Sequence, residues 1–418
     1  MNLNFLNLWN IKKSFKNFKI SVNDFLIKQN YKRVIKKLRN KKKIKVVFLC
    51  SESSKWNYAK LYEKLENYNL FEPEIVLYPH FDKILNKNKI SVEKELNKEY
   101  KFFKEQGLNV KYGYEDGKYV PLKIIKPDIV FYEQPYSLPE EYSVKNISEY
   151  ALCMYTSYGY EILDFLRNYT RFFHKRMHTY FVENEYQIAR YESYAPKNSE
   201  NCFVSGCVKM EMLNDEVPEL KEDKKITIIY APHHSLEQDS LKFATFKETG
   251  EYILEFAKAH RDSINWIFKP HPKLKYSIIT NNIMTEDETE KYYSEWENTG
   301  TIYDTGNYFG LFKSSDALIT DSISFLAEYL PVNKPIIQLV NPNHFPYNEI
   351  GFLIDKVLYK VYQKEEFDNV FNDVLLQKND YLKESRTEII PKIYDVTKSP
   401  SEIIFNYIKK TIWGEKLC

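Results

Sequence analysis

From residue 44 onward, short and nearly continuous apolar blocks alternate with longer stretches of helical spacing. IKVVFLC (44–50), EIVLYP (74–79), PDIVFYEQPY (127–136), YALCMYTSYGY (150–160), TYFVENE (179–185) and NCFVSG (201–206) each read as a strand buried on both faces. Helical spacing fills the gaps: SESSKWNYAKLYEKL after the first block, a charged stretch over about 91–106, and a stretch ending near His178. A polar, hairpin-like segment precedes Pro127. The polar run NDEVPELKEDKK (214–225), with Pro218, then interrupts the pattern. It restarts with KITIIYAP (225–232), a helix over about 243–260, NWIFKPHP (265–272), an acidic helix around 286–297, GTIYD (300–304) and a short helix to Lys313. SDALITDSISFLAEYLPVNKPIIQL (315–339) follows as strand, turn, helix and strand, and a charged helical stretch covers about 365–413.

This alternation predicts an α/β protein with two doubly wound, Rossmann-like parallel sheets, facing each other across a cleft. The expected divisions are a basic arm over 1–43, a first domain over 44–214, a linker over 215–224, and a second domain over 225–363. Helices over 364–418 are expected to pack across both domains. A length of 418 residues agrees with two domains of about 200 residues each.

Charge adds one feature. The net charge is +2, yet up to Lys45 every charged side chain except Asp24 is Lys or Arg. Over 21–40, Ser21 and Asp24 resemble a capping box, and Ile27, Tyr31, Val34, Ile35 and Leu38 recur at helical spacing. Such a helix suits two roles: lying on an anionic membrane surface, or packing on the body by its apolar stripe. Five cysteines without a C-x-x-C pair favour thiols in a reducing cytosol. No apolar run reaches the roughly 20 residues needed to cross a bilayer, and no secretory signal is recognisable.

Neither G-x-G-x-x-G, nor a Walker A loop, nor a D-x-D pair occurs. His174 and His178 have an i, i+4 spacing, but Lys175 and Arg176 would repel a cation, so the segment reads as a basic helix face and no metal site is assigned. Three loops remain, each directly after a strand of the second domain. APHHS supplies His233 and His234, KPHP supplies Lys269 and His271, and TDSIS supplies Asp321, Ser322 and Ser324 at a helix start. In a parallel sheet they share one edge. A helix start, a lysine and histidines suit an anion, and a neutral histidine can take a proton from a hydroxyl.

YAPHHS, FKPHP and SDALITDSISFLAEYLPVNKPIIQL resemble three motifs of the CDP-glycerol glycerophosphotransferase family, and FVSGCVKMEML (203–213) is similar to a fourth. The resemblance implies a GT-B fold and transfer of glycerol phosphate, or a related alditol phosphate, from a CDP-linked donor to a hydroxyl of a cell-surface polymer, with release of CMP. It implies His233, His234 and His271 as catalytic candidates. Lys269, Ser322, Ser324 and Asp321 fall at the donor phosphates, Asp321 as the residue that orients the loop. Glu328 matches the family's acid before a Tyr. The family's Trp-His-Gly-Thr segment corresponds to YTSYGYE (155–161), which makes Tyr158, Gly159 and Glu161 acceptor-side candidates and leaves no histidine there. The implied partners are the nucleotide-activated donor, a polysaccharide or lipid-linked polymer, and an anionic membrane surface at the cytoplasmic face. No nucleic acid and no protein-bound cofactor are expected, although Mg²⁺ can accompany the donor. A GT-B glycosyltransferase using a nucleotide sugar is the second reading, and an epimerase of nucleotide sugars a third.

Overall fold

The computed structural model describes residues 3–80, 89–165, 169, 171–195, 199–218, 225–236, 239–303 and 308–414, with side chains of the first helix from residue 20 and of the Lys89–Glu105 helix from residue 91. It divides into two compact units. One comprises Met1–Tyr158, Leu166–Val208 and Ser399–Cys418, the other Gly159–Phe165 and Lys209–Lys398. Most of the run over 215–224 lies outside the described residues.

In the first unit the strands are β1 (Ile44–Cys50), β2 (Phe71–Leu77), β3 (Val110–Tyr112), the hairpin β4 (Tyr114–Glu115) and β5 (Lys118–Tyr119), β6 (Ile129–Tyr132), β7 (Leu152–Thr156), β8 (Thr179–Val182) and β9 (Cys202–Val204). Seven of them form one parallel sheet in the order β3-β2-β1-β6-β7-β8-β9. The chain therefore changes direction across the sheet at β1, which has β2 on one side and β6 on the other; ligands bind beyond the strand C-termini at such points in open α/β sheets.

The second unit contains β10 (Ile226–Ala231), β11 (Ile264–Phe268), β12 (Thr301–Ile302), β13 (Ala317–Thr320), β14 (Ile336–Leu339) and β15 (Tyr359–Val361), parallel in the order β12-β11-β10-β13-β14-β15. Its strands β13 and β14 are buried throughout, as mostly apolar strands require when helices cover both faces.

Three expectations are corrected. The first helix runs from Leu3 to Leu38, so Ser21 and Asp24 do not begin it. Asp24 instead accepts from Arg176 Nε at 2.9 Å and pairs with Lys175 at 2.6 Å, and Ile27, Tyr31, Val34 and Leu38 are buried in the first unit's core. His174 is no part of a solvated basic face: it is 1% exposed and packs among Tyr155, Phe173, Tyr180 and Tyr191. The C-terminal helices do not act as one group. Lys364–Val370 and Lys383–Ile393 belong to the second unit, while Pro400–Trp413 inserts Ile404, Phe405, Ile408 and Ile412 into the core of the first. Gly206, at φ 91°, allows that arrival: a Cβ there would lie 3.0 Å from Pro400 Cγ.

Candidate active site

The three loops after β10, β11 and β13 lie side by side, because β10 pairs with both of the others. The backbone stitches them together: Lys269 N–H donates to Tyr230 O at 2.8 Å and His271 N–H to Pro232 O at 3.0 Å. Thr320 Oγ1 donates to Ala231 O at 2.6 Å and accepts from Ser322 N–H at 2.9 Å. His234 and His271 stack with ring centroids 4.0 Å apart, and the His233 ring lies 4.5 Å from the former and 5.1 Å from the latter.

Hydrogen bonds determine what this histidine cluster offers. His233 Nδ1 accepts from Ser235 N–H at 3.2 Å and from the Ser235 hydroxyl at 2.7 Å, since Ser235 Oγ itself accepts from Phe243 N–H. His271 Nδ1 accepts from Lys273 N–H at 3.1 Å. In the neutral ring each Nε2 therefore carries the proton. Burial, then the neighbouring His234, His271 and Lys273, holds His233 well below the usual histidine range. Burial also lowers His234 to about 4. Ring nitrogens of the three residues lie within 4.8 Å of one another, a spacing that would also suit a metal ion. The Nε2–H groups of His233 and His271 decide otherwise: they are donors, suited to phosphate oxygens, and a metal would require lone pairs in their place.

Asp321 holds the site together from beneath. Its 1%-exposed carboxylate accepts from His233 N–H and Thr245 N–H, both at 2.6 Å, and from the Thr245 hydroxyl at 3.0 Å. These three bonds are made within the protein and make Asp321 a tie between loops. Ser322 and Ser324 stand at the start of the Ile323–Glu328 helix, Ser322 buried and Ser324 half-buried. A Cβ on Gly159 would lie 3.9 Å from Ser324 Oγ, so Gly159, read as acceptor-side, belongs with the second unit. Glu161 also falls there, its carbonyl accepting from Asn348 Nδ2 at 2.9 Å. Tyr158 remains in the first unit, hydrogen-bonded to the Tyr136 hydroxyl.

Lys269 departs most from the sequence reading. It is 7% exposed, and its ammonium lies over the rings of Tyr303, Tyr308 and Phe325 at 5.1, 4.9 and 5.9 Å. Behind this aromatic cage is a buried pair that motif reading alone does not reveal. Lys209 Nζ donates to Glu328 at 3.1 Å and sits 5.4 Å from the Tyr308 ring, while the Tyr308 hydroxyl donates to the other Glu328 oxygen. Burial by itself would lower Lys209, but the Glu328 carboxylate raises it above its ordinary value. Burial, then Glu328, likewise raises Tyr308. Lys209 and Glu328 are both positions of the resembling motifs; what joins them is tertiary structure. A cavity of about 980 Å³ opens beside Thr245, lined in part by Lys242, Asn281, Asn341, Tyr362 and Lys364.

No curated protein matches the sequence. Among solved structures, the S. aureus MnaA–UDP complex superposes with a TM-score of 0.57 at 14% identity, covering 89% of this chain and 97% of that one. The UDP-GlcNAc 2-epimerase of Neisseria meningitidis bound to UDP-GlcNAc gives 0.54 at 12%, covering 88% and 100%. The wall teichoic acid polymerase TagF, soaked with CDPG, gives 0.50 at 17%, covering 96% and 98%. These likenesses establish the two-sheet, GT-B-like fold. Residues 173–360 match the family described as CDP-Glycerol:Poly(glycerophosphate) glycerophosphotransferase, a segment that contains all three loops, Lys209 and Glu328. Through that segment the chain resembles the CDP-glycerol glycerophosphotransferase family.

Proposed function

We propose that this protein transfers glycerol phosphate, or a closely related alditol phosphate, from a CDP-linked donor to a hydroxyl of a teichoic-acid or capsular polymer. In this reading the acceptor oxygen forms a new bond to the β-phosphorus, the bond from that phosphorus to the bridging oxygen breaks, CMP leaves with the electron pair, and a base takes the hydroxyl proton. Such a reaction needs donors fixed on the phosphoryl oxygens before charge develops there. The observation that carries the proposal is the pair of Nε2–H donors on His233 and His271, beside His234, on loops tied by Asp321. Ser324 supplies a further hydroxyl, and the cavity beside Thr245 is large enough for the nucleoside. Lys269 acts from its aromatic cage as a fixed positive field.

The test is to incubate the protein with a panel of CDP- and UDP-linked donors, with and without polymer acceptor. Acceptor-dependent CMP release from CDP-glycerol supports the proposal; release of a nucleoside diphosphate from a sugar donor overturns it. His271→Ala and Ser324→Ala should weaken CDP-glycerol binding about 10-fold or more while the fold persists, by the usual worth of a hydrogen bond to a charged group. Parent-like binding in both would place the phosphates elsewhere.

Peripheral attachment to the inner membrane face is the second part of the proposal. Among the described residues no helix is long and apolar enough to cross a membrane. The first helix, however, exposes Val22, Phe25 and Leu26, the last two at 61% and 51%, among its lysines. Exposed apolar side chains beside basic ones suit an anionic lipid surface.

A further inference from the structure

A cavity beside the first helix takes no part in the transfer reading. It lies wholly within the first unit and has a volume of about 260 Å³. The helix face of Asp24, Ile27, Tyr31 and Ile35 bounds it on one side, and the segments 175–178 and 200–201 on the other. Its floor is apolar: Ile27, Tyr31 and Met177 are buried there, and Ile35 is half-buried. The His178 ring meets the Tyr31 ring edge-on, with centroids 5.3 Å apart. Burial lowers this histidine to about 4, so the floor carries no charge near neutrality.

The rim has the opposite character. Lys28, Lys32, Lys175 and Arg176 stand against two carboxylates, those of Asp24 and Glu200. Asp24 is committed to Lys175 at 2.6 Å and to Arg176 at 2.9 Å, and the Tyr31 hydroxyl donates to Arg176 O at 2.7 Å. These groups fix the helix on the body. Lys28 pairs with Glu200 in an exposed contact, which is worth little by itself. Lys32 is exposed and has no carboxylate partner among the described residues. An excess of positive charge therefore stands above an apolar hollow.

That combination selects the occupant. An anion alone would leave the apolar floor in water, and an apolar molecule alone would leave the rim unmatched. A phosphate that carries a hydrocarbon chain satisfies both. Phe25, 61% exposed, precedes Lys28 by three residues and Lys32 by seven, which places all three on one side of the helix. The side chain suited to entering a bilayer thus faces the same way as the two lysines suited to its phosphates.

We propose that this cavity holds one anionic phospholipid of the membrane surface. Its phosphate sits on Lys28 and Lys32, and part of one acyl chain lies over Ile27, Ile35 and Met177. This rests on the membrane-attachment part of the function proposed above and goes beyond it, because adsorption through charge and exposed apolar side chains needs no cavity. The space is smaller than an ordinary small-molecule pocket. It takes a segment of chain and leaves the rest of the lipid in the bilayer.

Alkyl phosphates carry the same chemistry without a bilayer, and they test this on the full-length protein. In calorimetric titration with butyl, hexyl and octyl phosphate, each below its micellar concentration, Kd should fall about fourfold per added methylene until the cavity is full. Inorganic phosphate should bind at least about 10-fold more weakly than hexyl phosphate. Octyl phosphate should slow hydrogen exchange in peptides covering 24–35, 175–178 and 200–201. Lys32→Gln should weaken octyl phosphate about fivefold. Ile35→Trp, which fills the cavity from the helix, should abolish the dependence on chain length. Inorganic phosphate binding as tightly as octyl phosphate, or a parent-like chain-length series in Ile35→Trp, overturns the proposal. Should Ile35→Trp not fold, Lys32→Gln and the parent's exchange pattern decide, and protection confined to other segments overturns the assignment. Sedimentation with vesicles of phosphatidylcholine and phosphatidylglycerol separates the cavity from general attachment. Equal sedimentation of parent and Ile35→Trp, with no alkyl phosphate bound, keeps surface attachment and removes the cavity. Alkyl phosphate bound at these segments without sedimentation removes surface attachment and supports the cavity as a site for a single lipid.

Discussion

Asp321 shows how much of a residue's role is missing when its chemistry is read along the chain. The sequence places it at a helix start with two serines, as the residue that orients that loop. Its partners are His233 and Thr245, far away in sequence, and no local spacing reveals them. Asp321→Ala would leave two buried N–H donors unsatisfied, at about 1–3 kcal/mol each, so denaturant titration should show a loss of several kcal/mol. The loops themselves were legible, because polar residues directly after continuous apolar strands can only fall on one sheet edge. The tautomers of His233 and His271, which separate anion binding from metal binding, were not. Glu133 gives a second prediction at this scale. Burial places its carboxyl at about 7 folded against an ordinary 4.5, so the folded state holds the proton more tightly. Its contribution to stability is complete below pH 4.5 and is lost as pH rises through 7. The stability difference between the parent and Glu133→Gln should therefore fall by about 3 kcal/mol across that window. A flat difference would show that the carboxyl does not titrate there.

At the scale of elements, central strands announced themselves and two of the four edge strands did not. β3 (VKY) and β15 (YKV) lie at sheet edges and carry a lysine between apolar neighbours, so neither forms a continuous apolar block. The first helix was recognised by its periodicity, but its start was misplaced, because a Ser and an Asp three residues apart fit equally well inside a helix whose Asp faces Arg176. Its two suggested roles now map to different residues. Leu38 is fully buried, and Leu38→Ala should cost about 2–5 kcal/mol of stability by denaturant titration, with little effect on lipid. Phe25 is exposed, and Phe25→Ser should leave stability within about 0.5 kcal/mol while reducing sedimentation with vesicles containing anionic lipid. Unchanged vesicle binding in Phe25→Ser, and in a variant with Leu26→Ser added, would leave the helix only its packing role.

For the whole molecule, the order of elements along the chain differs from their membership of the two units. Amphipathic spacing in the last helix predicts a buried face, but not the body that buries it; the contact between Gly206 and Pro400 and the insertion of Ile404, Phe405, Ile408 and Ile412 supply that information. The first unit is therefore completed only by residues that follow the entire second unit. Ending the chain before Ser399 should loosen the first unit selectively. In hydrogen exchange read by mass spectrometry, peptides covering β1, β2 and β6 should lose protection, while those covering β10, β11 and β13 keep it, since their core contains no residue beyond Leu375. CDP-glycerol added to the truncated protein separates the two bodies further. A ligand that binds one folded unit stabilises it by mass action, so protection should rise in the second unit and leave the first as loose as before. Equal loss of protection in both sheets on truncation would mean that the units unfold as one, and that the last helix supports the whole chain.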